Sequence, residues 1–271
     1  MQRNFPITLE TPIGVVASKR ITSVSPEEPA TAVRKLMRET RARIALVVDR
    51  SNKLLGVITR GDILIISSRK SNAKARDIMS RPVLVLNDNT TIGEAVDLML
   101  KYDEWYAPVV DEDGRALAVF GLEHAIQRML DENPEFLESI RLADIMTRDV
   151  EAVSADDFVS SVWEKMVERR YAGFPVVDEK GRLVGIITQY DILAKSGPIA
   201  RETAGGPSRG SRIREIMTRT VTYLTPEDTA ARAASLMAER GYGRIPIVES
   251  PKTRRLVGIV DREDIVRLLQ R

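Results

Sequence analysis

Three residue pairs at one spacing are the positions in this chain best suited to chemistry: Thr59 with Asp62, Thr188 with Asp191, and Asp261 with Asp264. Each follows an apolar run headed by glycine: Gly56-Val57-Ile58, Gly185-Ile186-Ile187 and Gly258-Ile259-Val260. A worn fourth copy, Ala118-Val119-Phe120, carries Gly121 and His124 at the matching places. The pattern predicts a short strand running straight into a helix, with the polar pair at the junction. A hydroxyl and a carboxylate there can cap unpaired backbone N–H groups, which is worth about 1 kcal/mol. The same groups can hold a ligand, because a rigid helix start presents electropositive backbone. Both uses are hydrogen bonding, not bond-making. No Walker-type phosphate loop, nucleophile elbow or paired-carboxylate motif stands in a convincing context. His124 is the only histidine and is read as a surface or packing residue, since one histidine cannot build the usual histidine-rich metal site. The absence of cysteine excludes disulfides and thiolate metal sites. The chain therefore reads as a non-enzyme with no catalytic cofactor or metal.

The elements that position these pairs recur four times. From the residues before the first helix (Ser25, Asn87, Ser154, Thr225) to the strand anchors (Gly56, Ala118, Gly185, Gly258) the offsets are 31, 31, 31 and 33. The extra two residues fall in the surface turn Ser250 to Arg255, where insertions are tolerated. Met37, Met99, Met166 and Met237 each lie 12 residues beyond the pre-helix residue and are assigned to buried helix faces. Repeat three reads most cleanly. It has a strand over Asp149–Val153, a helix over Phe158–Arg170, and strands Phe174–Val177 and Leu183–Ile187 flanking a turn at Gly181. A second helix follows over Thr188–Lys195. The class is mixed α/β, built from β-α-β-β-α units, and one such unit cannot bury both its apolar faces alone. The units are placed at 15–70, 76–130, 142–196 and 212–271, with a short helix expected over Glu135–Arg141. Asp77-Ile78-Met79 recurs as Asp144-Ile145-Met146 and Glu215-Ile216-Met217. The Gly/Pro-rich stretch 196–212 reads as a linker and not a phosphate loop, because no Lys-Ser or Lys-Thr follows it and no strand feeds it.

Composition narrows the setting. Hydrophobic content of 43% with 30% charged residues fits a soluble globular protein, and no apolar run reaches the roughly 18 residues of a membrane span. A formal charge of +2, with signs mixed along the chain, argues against nucleic acid and anionic membrane. The lack of cysteine and of a signal-peptide pattern suits a cytoplasmic protein. Frequent charges with scarce Gln and Asn lean toward a thermophile.

The unit order, the strands Ala107-Pro108-Val109-Val110-Asp111 and Phe174-Pro175-Val176-Val177-Asp178, and the Gly-x-x-Thr-x-x-Asp junction together resemble the cystathionine-β-synthase (CBS) domain family over about residues 15 to 269. The resemblance implies two pseudo-symmetric Bateman modules meeting in a flat disc, with clefts for adenosine compounds. A closer similarity is to the γ regulatory subunit of AMP-activated protein kinase and to archaeal four-unit CBS proteins. Like that subunit, this chain has its junction Asp in units one, three and four, and a basic residue, His124, in unit two.

On that resemblance Thr59, Asp62, Thr188, Asp191 and Asp264 are expected at ribose and phosphate, and Arg43 and Arg244 at phosphate, where a planar, always-charged guanidinium fits. The adenine slot is expected from the leading strands 147–150, 218–221 and 18–21 and from the proline strand, with Thr147, Val150, Pro175, Thr218, Val221 and Pro246 as its candidates. Tyr106 stands where the family's second-unit Arg would be, so the unit-two cleft is expected to be weak or empty. Asp261 replaces the junction Thr and is read as a helix cap. The function implied is an AMP-, ADP- or ATP-binding regulator acting on a separate partner protein, with homodimerisation possible. S-adenosylmethionine binding and a ligand-free assembly module are the alternatives.

Overall fold

The structure is a computed structural model and describes residues 9–64, 72–195 and 210–270. In repeat one, β1 (Ser23–Val24) lies parallel to β2 (Ile44–Val48), which pairs antiparallel with β3 (Leu54–Thr59); the helices are Ala30–Thr40 and Arg60–Leu64. Repeat two has β4 (Leu86–Asn87), β5 (Tyr106–Val110) and β6 (Ala116–Gly121), with helices Ile92–Tyr102 and Leu122–Glu132. Repeat three has β7 (Val153–Ser154), β8 (Gly173–Val177) and β9 (Leu183–Thr188), with helices Val159–Arg169 and Gln189–Lys195. Repeat four pairs β10 (Arg244–Val248) with β11 (Leu256–Asp261), its helices are Ala230–Arg240 and Arg262–Val266, and a single parallel bridge from Leu224 to Ile247 stands for its first strand.

Two sequence expectations change. The strand expected over Asp149–Val153 is reduced to Val153–Ser154. The connecting helix begins and ends earlier, at Pro134–Glu138, because Asn133 accepts a hydrogen bond from Phe136 N at 3.3 Å and proline takes the first helical position. The 196–212 stretch falls almost wholly outside the described residues.

In repeats one, two and three the aspartate that follows the first hairpin strand has a local task. Asp178 Oδ1 accepts Lys180 N at 3.0 Å and Arg182 N at 2.9 Å, and Gly181 turns the chain with φ 71°. Asp49 and Asp111 repeat the arrangement. This side-chain-stabilised turn sets the register of these three hairpins.

The chain divides into two compact units. One holds Thr22–Arg81 and Glu151–Val221, the other Met1–Ile21, Pro82–Val150 and Thr222–Arg271. Repeats one and three thus share one unit, and repeats two and four the other. The first core contains Met37, Ile58, Ile63, Met166, Ile187 and Ile192; the second contains Met99, Phe120, Ile126, Met237, Val260 and Ile265. All four methionines at the conserved offset are fully buried.

Candidate functional site

Each unit gains a segment that belongs, by sequence, to a neighbouring repeat. Thr218, which leads into repeat four, bridges Ile186 of β9 through two backbone hydrogen bonds of 2.9 Å. Thr147 bridges Ile259 of β11 in the same way, Ser80 bridges Val57 of β3, and Ser18 bridges Val119 of β6. Three of these straps, at Ser18, Thr147 and Thr218, are the segments expected to be leading strands of their own repeats. Only one residue of each bridges a sheet, and that sheet is another repeat's. The parallel place within repeat three is already held by β7.

The glycine that heads each junction strand makes room for the strap. A Cβ on Gly185 would stand 2.6 Å from Met217 Sδ, and one on Gly258 would stand 2.6 Å from Met146 Sδ. A Cβ on Gly56 would stand 2.9 Å from Met79 Sδ. The recurrent methionine of the straps therefore lies over the recurrent glycine. In repeat two both partners differ together, as Ala118 faces a strap that carries Ala17 before Ser18.

The strap completes a row across the sheet. Ile186 lies between Pro175 on β8 and Thr218 on the strap, and Ile259 lies between Pro246 and Thr147. Two residues beyond Ile186, the junction begins. Asp191 Oδ2 accepts Thr188 N at 3.0 Å and Thr188 Oγ1 at 2.6 Å, while Thr188 Oγ1 accepts Asp191 N at 3.2 Å. Asp191 Oδ1 accepts Thr218 Oγ1 at 2.9 Å and Lys195 Nζ at 2.8 Å. Thr188, Asp191, Pro175 and Thr218 are thus brought together, and Val221 follows three residues along the strap. Thr218, expected against a base, also donates its hydroxyl to the Asp191 carboxylate.

At repeat one, Asp62 Oδ2 accepts Thr59 N and Thr59 Oγ1, both at 2.7 Å. No described residue donates to its Oδ1. Arg43 immediately precedes β2, whose first residue pairs with Thr59.

Repeat four is acidic. Asp264 Oδ2 accepts Asp261 N at 2.8 Å, and Asp261 Oδ1 accepts Glu263 N at 3.0 Å, so Asp261 caps its helix as expected. Burial, and then the neighbouring Asp261 carboxylate, push Asp264 up to about 7. Burial raises Asp261 too, opposed by Arg244, which faces it across the β10–β11 register. Arg244 also lies 5.5 Å over the Trp105 ring. Thr147, Pro246 and Arg244 share this unit with Asp264, and Val150 continues the strap from Thr147.

In repeat two, His124 Nδ1 accepts Gly121 N at 2.9 Å, the capping task that aspartate performs elsewhere. Burial lowers its pKa below the ordinary histidine value, so the ring is neutral near pH 7. Tyr106 does not leave this junction without a guanidinium. Arg262, 1% exposed, arrives from repeat four and donates to Glu123 Oε2 at 2.7 Å, to the Tyr106 hydroxyl and to Tyr242 O. The sequence offers Arg262 as a neutraliser of Asp261, but carries no sign of its burial against Glu123 and Tyr106. Lys195 was also missed, although its Asp-x-x-x-Lys spacing to Asp191 is a legible helical ion pair.

A cavity of about 460 Å³ in the unit of repeats one and three lies at the turn end of the β8–β9 hairpin, among Asp178, Arg182, Arg214 and Met217. It includes no junction residue. Its arginines 182 and 214 are paired with Asp178 and Asp156. Among the described residues no helix is long and apolar enough to cross a membrane, and no cluster of His, Asp or Glu is arranged to hold a metal ion.

Repeated α/β units with capped strand–helix junctions define a class, and comparison with known families gives it a name. The CBS domain matches residues 13–69, 75–133, 142–197 and 213–271, and the chain belongs to the CBS-domain family. Protein MJ1225 of Methanocaldococcus jannaschii is 28% identical over 93% of this chain and 96% of its own length. The crystal structure of MJ1225, described as a candidate archaeal homologue of γ-AMPK, matches with a TM-score of 0.83 over 95% of this chain and 99% of that one, at 26% identity. An uncharacterized conserved protein of Pyrococcus horikoshii has the same fold, with a TM-score of 0.64 at 24% identity over 96% of this chain and all of the other.

Proposed function

We propose that this CBS-domain protein is a regulator that binds adenine nucleotides (AMP, ADP or ATP) and acts on a separate partner protein. The observation that carries the reading is the repeat-one junction. There Thr59 orders one oxygen of Asp62, and the other has no donor among the described residues. A carboxylate oriented in this way accepts the two hydroxyls of a ribose. The hydroxyl of Thr59 and the helix start beside it suit a phosphate, and Arg43 lies at the same end of the hairpin. At repeat three the row Pro175–Ile186–Thr218 offers an apolar floor with backbone edges for a base, leading to Thr188 and Asp191. At repeat four, Arg244 is the phosphate candidate beside Asp264. Regulation follows by linkage, since nucleotides with different phosphate counts favour different conformations and so change how the partner is bound.

One observation favours a second reading for repeat three. Both oxygens of Asp191 are already engaged by protein donors, as a purely structural latch would be. Calorimetric titration of nucleotide-stripped protein with AMP, ADP, ATP and S-adenosylmethionine separates the possibilities. Micromolar binding of the phosphorylated adenosines, weakened by Asp62→Ala, supports the proposal. Binding of S-adenosylmethionine alone moves the ligand class, and silence from all four supports an assembly module.

A further inference from the structure

We propose that Lys195 is a gate on the repeat-three site. Its ammonium holds the carboxylate oxygen that a ribose would use, so the site fills only when Lys195 lets go. This inference rests on the nucleotide reading above. Asp191 is 4% exposed, and its carboxylate has no free place. Thr188 supplies two donors to Oδ2, and Thr218 and Lys195 supply one each to Oδ1. A carboxylate accommodates about four donors.

Lys195 is fixed at more than one point. Besides Asp191 Oδ1 at 2.8 Å, its Nζ donates to Ile216 O at 2.9 Å, at the end of the short helix Ile213–Ile216 that precedes the strap. Yet its side chain is 44% exposed, against 6% for that of Asp191, so it has a path to solvent that leaves the core intact. The carboxylate stays; the ammonium is the part able to leave.

Among the three repeats that carry a junction aspartate, a cation at this spacing is particular to repeat three. Four residues after the junction acid stand Ile66 in repeat one and Leu268 in repeat four. Arg128 holds that place after His124, and it is paired with Glu132. Two sites built on the same Thr-x-x-Asp motif therefore differ by two donors to the outer oxygen, the Thr218 hydroxyl and Lys195, and of these only the ammonium is half-exposed. Among the described residues nothing competes for the outer oxygen of Asp62 in repeat one, whereas repeat three must first break an ion pair. A half-exposed pair of this kind weakens a competing ligand by about fivefold.

The test uses the full chain and two nucleosides. Adenosine presents both ribose hydroxyls without phosphate, and 2′-deoxyadenosine lacks one. In an Asp62→Ala background, which silences repeat one, adding Lys195→Met should tighten adenosine binding about fivefold. The gain should be smaller with 2′-deoxyadenosine, which offers one hydroxyl fewer, and Lys195→Arg should keep the affinity of the background. Unchanged or weaker adenosine binding in Lys195→Met overturns the gate, as does lowered thermal stability without tighter binding. If adenosine binding to the parent chain is reduced by Asp62→Ala but is indifferent to Lys195, the nucleotide reading stands and the gate falls. If no variant binds either nucleoside, the gate falls, while the nucleotide reading falls only if AMP, ADP and ATP also fail to bind.

Discussion

Replacing Arg262 by methionine should destabilise the unit of repeats two and four by about 3 kcal/mol. The guanidinium is 1% exposed and donates to Glu123, Tyr106 and Tyr242, so it ties the repeat-four junction to repeat two. Breaking a buried ion pair by removing one partner costs about 3–5 kcal/mol, chiefly because the remaining charge is stranded. Glu123 keeps 25% of its side-chain surface in contact with solvent, which places the loss at the low end of that range. Methionine replaces much of the side-chain volume, which limits any added cavity loss. The two tryptophans make the assay specific, because Trp105 lies in the affected unit and Trp163 in the other. Urea unfolding followed by Trp105 fluorescence in a Trp163→Phe background should move to lower denaturant. Adding Glu123→Gln should restore part of the loss, since the stranded charge is then gone. A shift below about 0.5 kcal/mol, or no recovery in the double variant, would refute the account of a buried charge that needs its partner.

Three further outcomes are expected. Asp62→Ala should lower nucleotide affinity at least tenfold while reducing stability only by the value of a cap, about 1 kcal/mol; equal affinity by calorimetry would remove Asp62 from the site. The stability of the unit containing Asp264 should fall as pH rises from about 4 to about 7, because a carboxyl whose folded pKa is raised to about 7 contributes stability that is complete below its unfolded value and lost as it ionises. The slope from this group is at most about 1.4 kcal/mol per pH unit, and Asp264→Asn should flatten it in a pH series of thermal melts. Gly185→Ala should cost about 1–3 kcal/mol, because its methyl would stand 2.6 Å from Met217 Sδ. Adding Met217→Ala should recover part of that, as the Ala118 and Ala17 combination of repeat two suggests; no recovery in the double variant would show that Met217 is not the obstacle.

The sequence by itself determined the repeated architecture. Four units at a constant offset, four core methionines and the Thr-x-x-Asp junctions were legible because strand and helix periodicities and capping chemistry are local. A junction needs only residues three apart, so Thr188 with Asp191, the role of Asp261 as a cap and the turn at Gly181 could be read from the chain. Tertiary structure decided which segments meet. Thr147 and Thr218 lie on sheets of other repeats because a strap needs a sheet edge and a glycine beneath its methionine, and neither requirement is local. Arg262 looks like one more charged helix residue until packing buries it against Glu123 and Tyr106, more than a hundred residues away in sequence. Lys195 carries its partner Asp191 in its own helix. Only the fold, by bringing Thr218 and Ile216 alongside, makes that pair the filling of a carboxylate that the sequence alone would have left open.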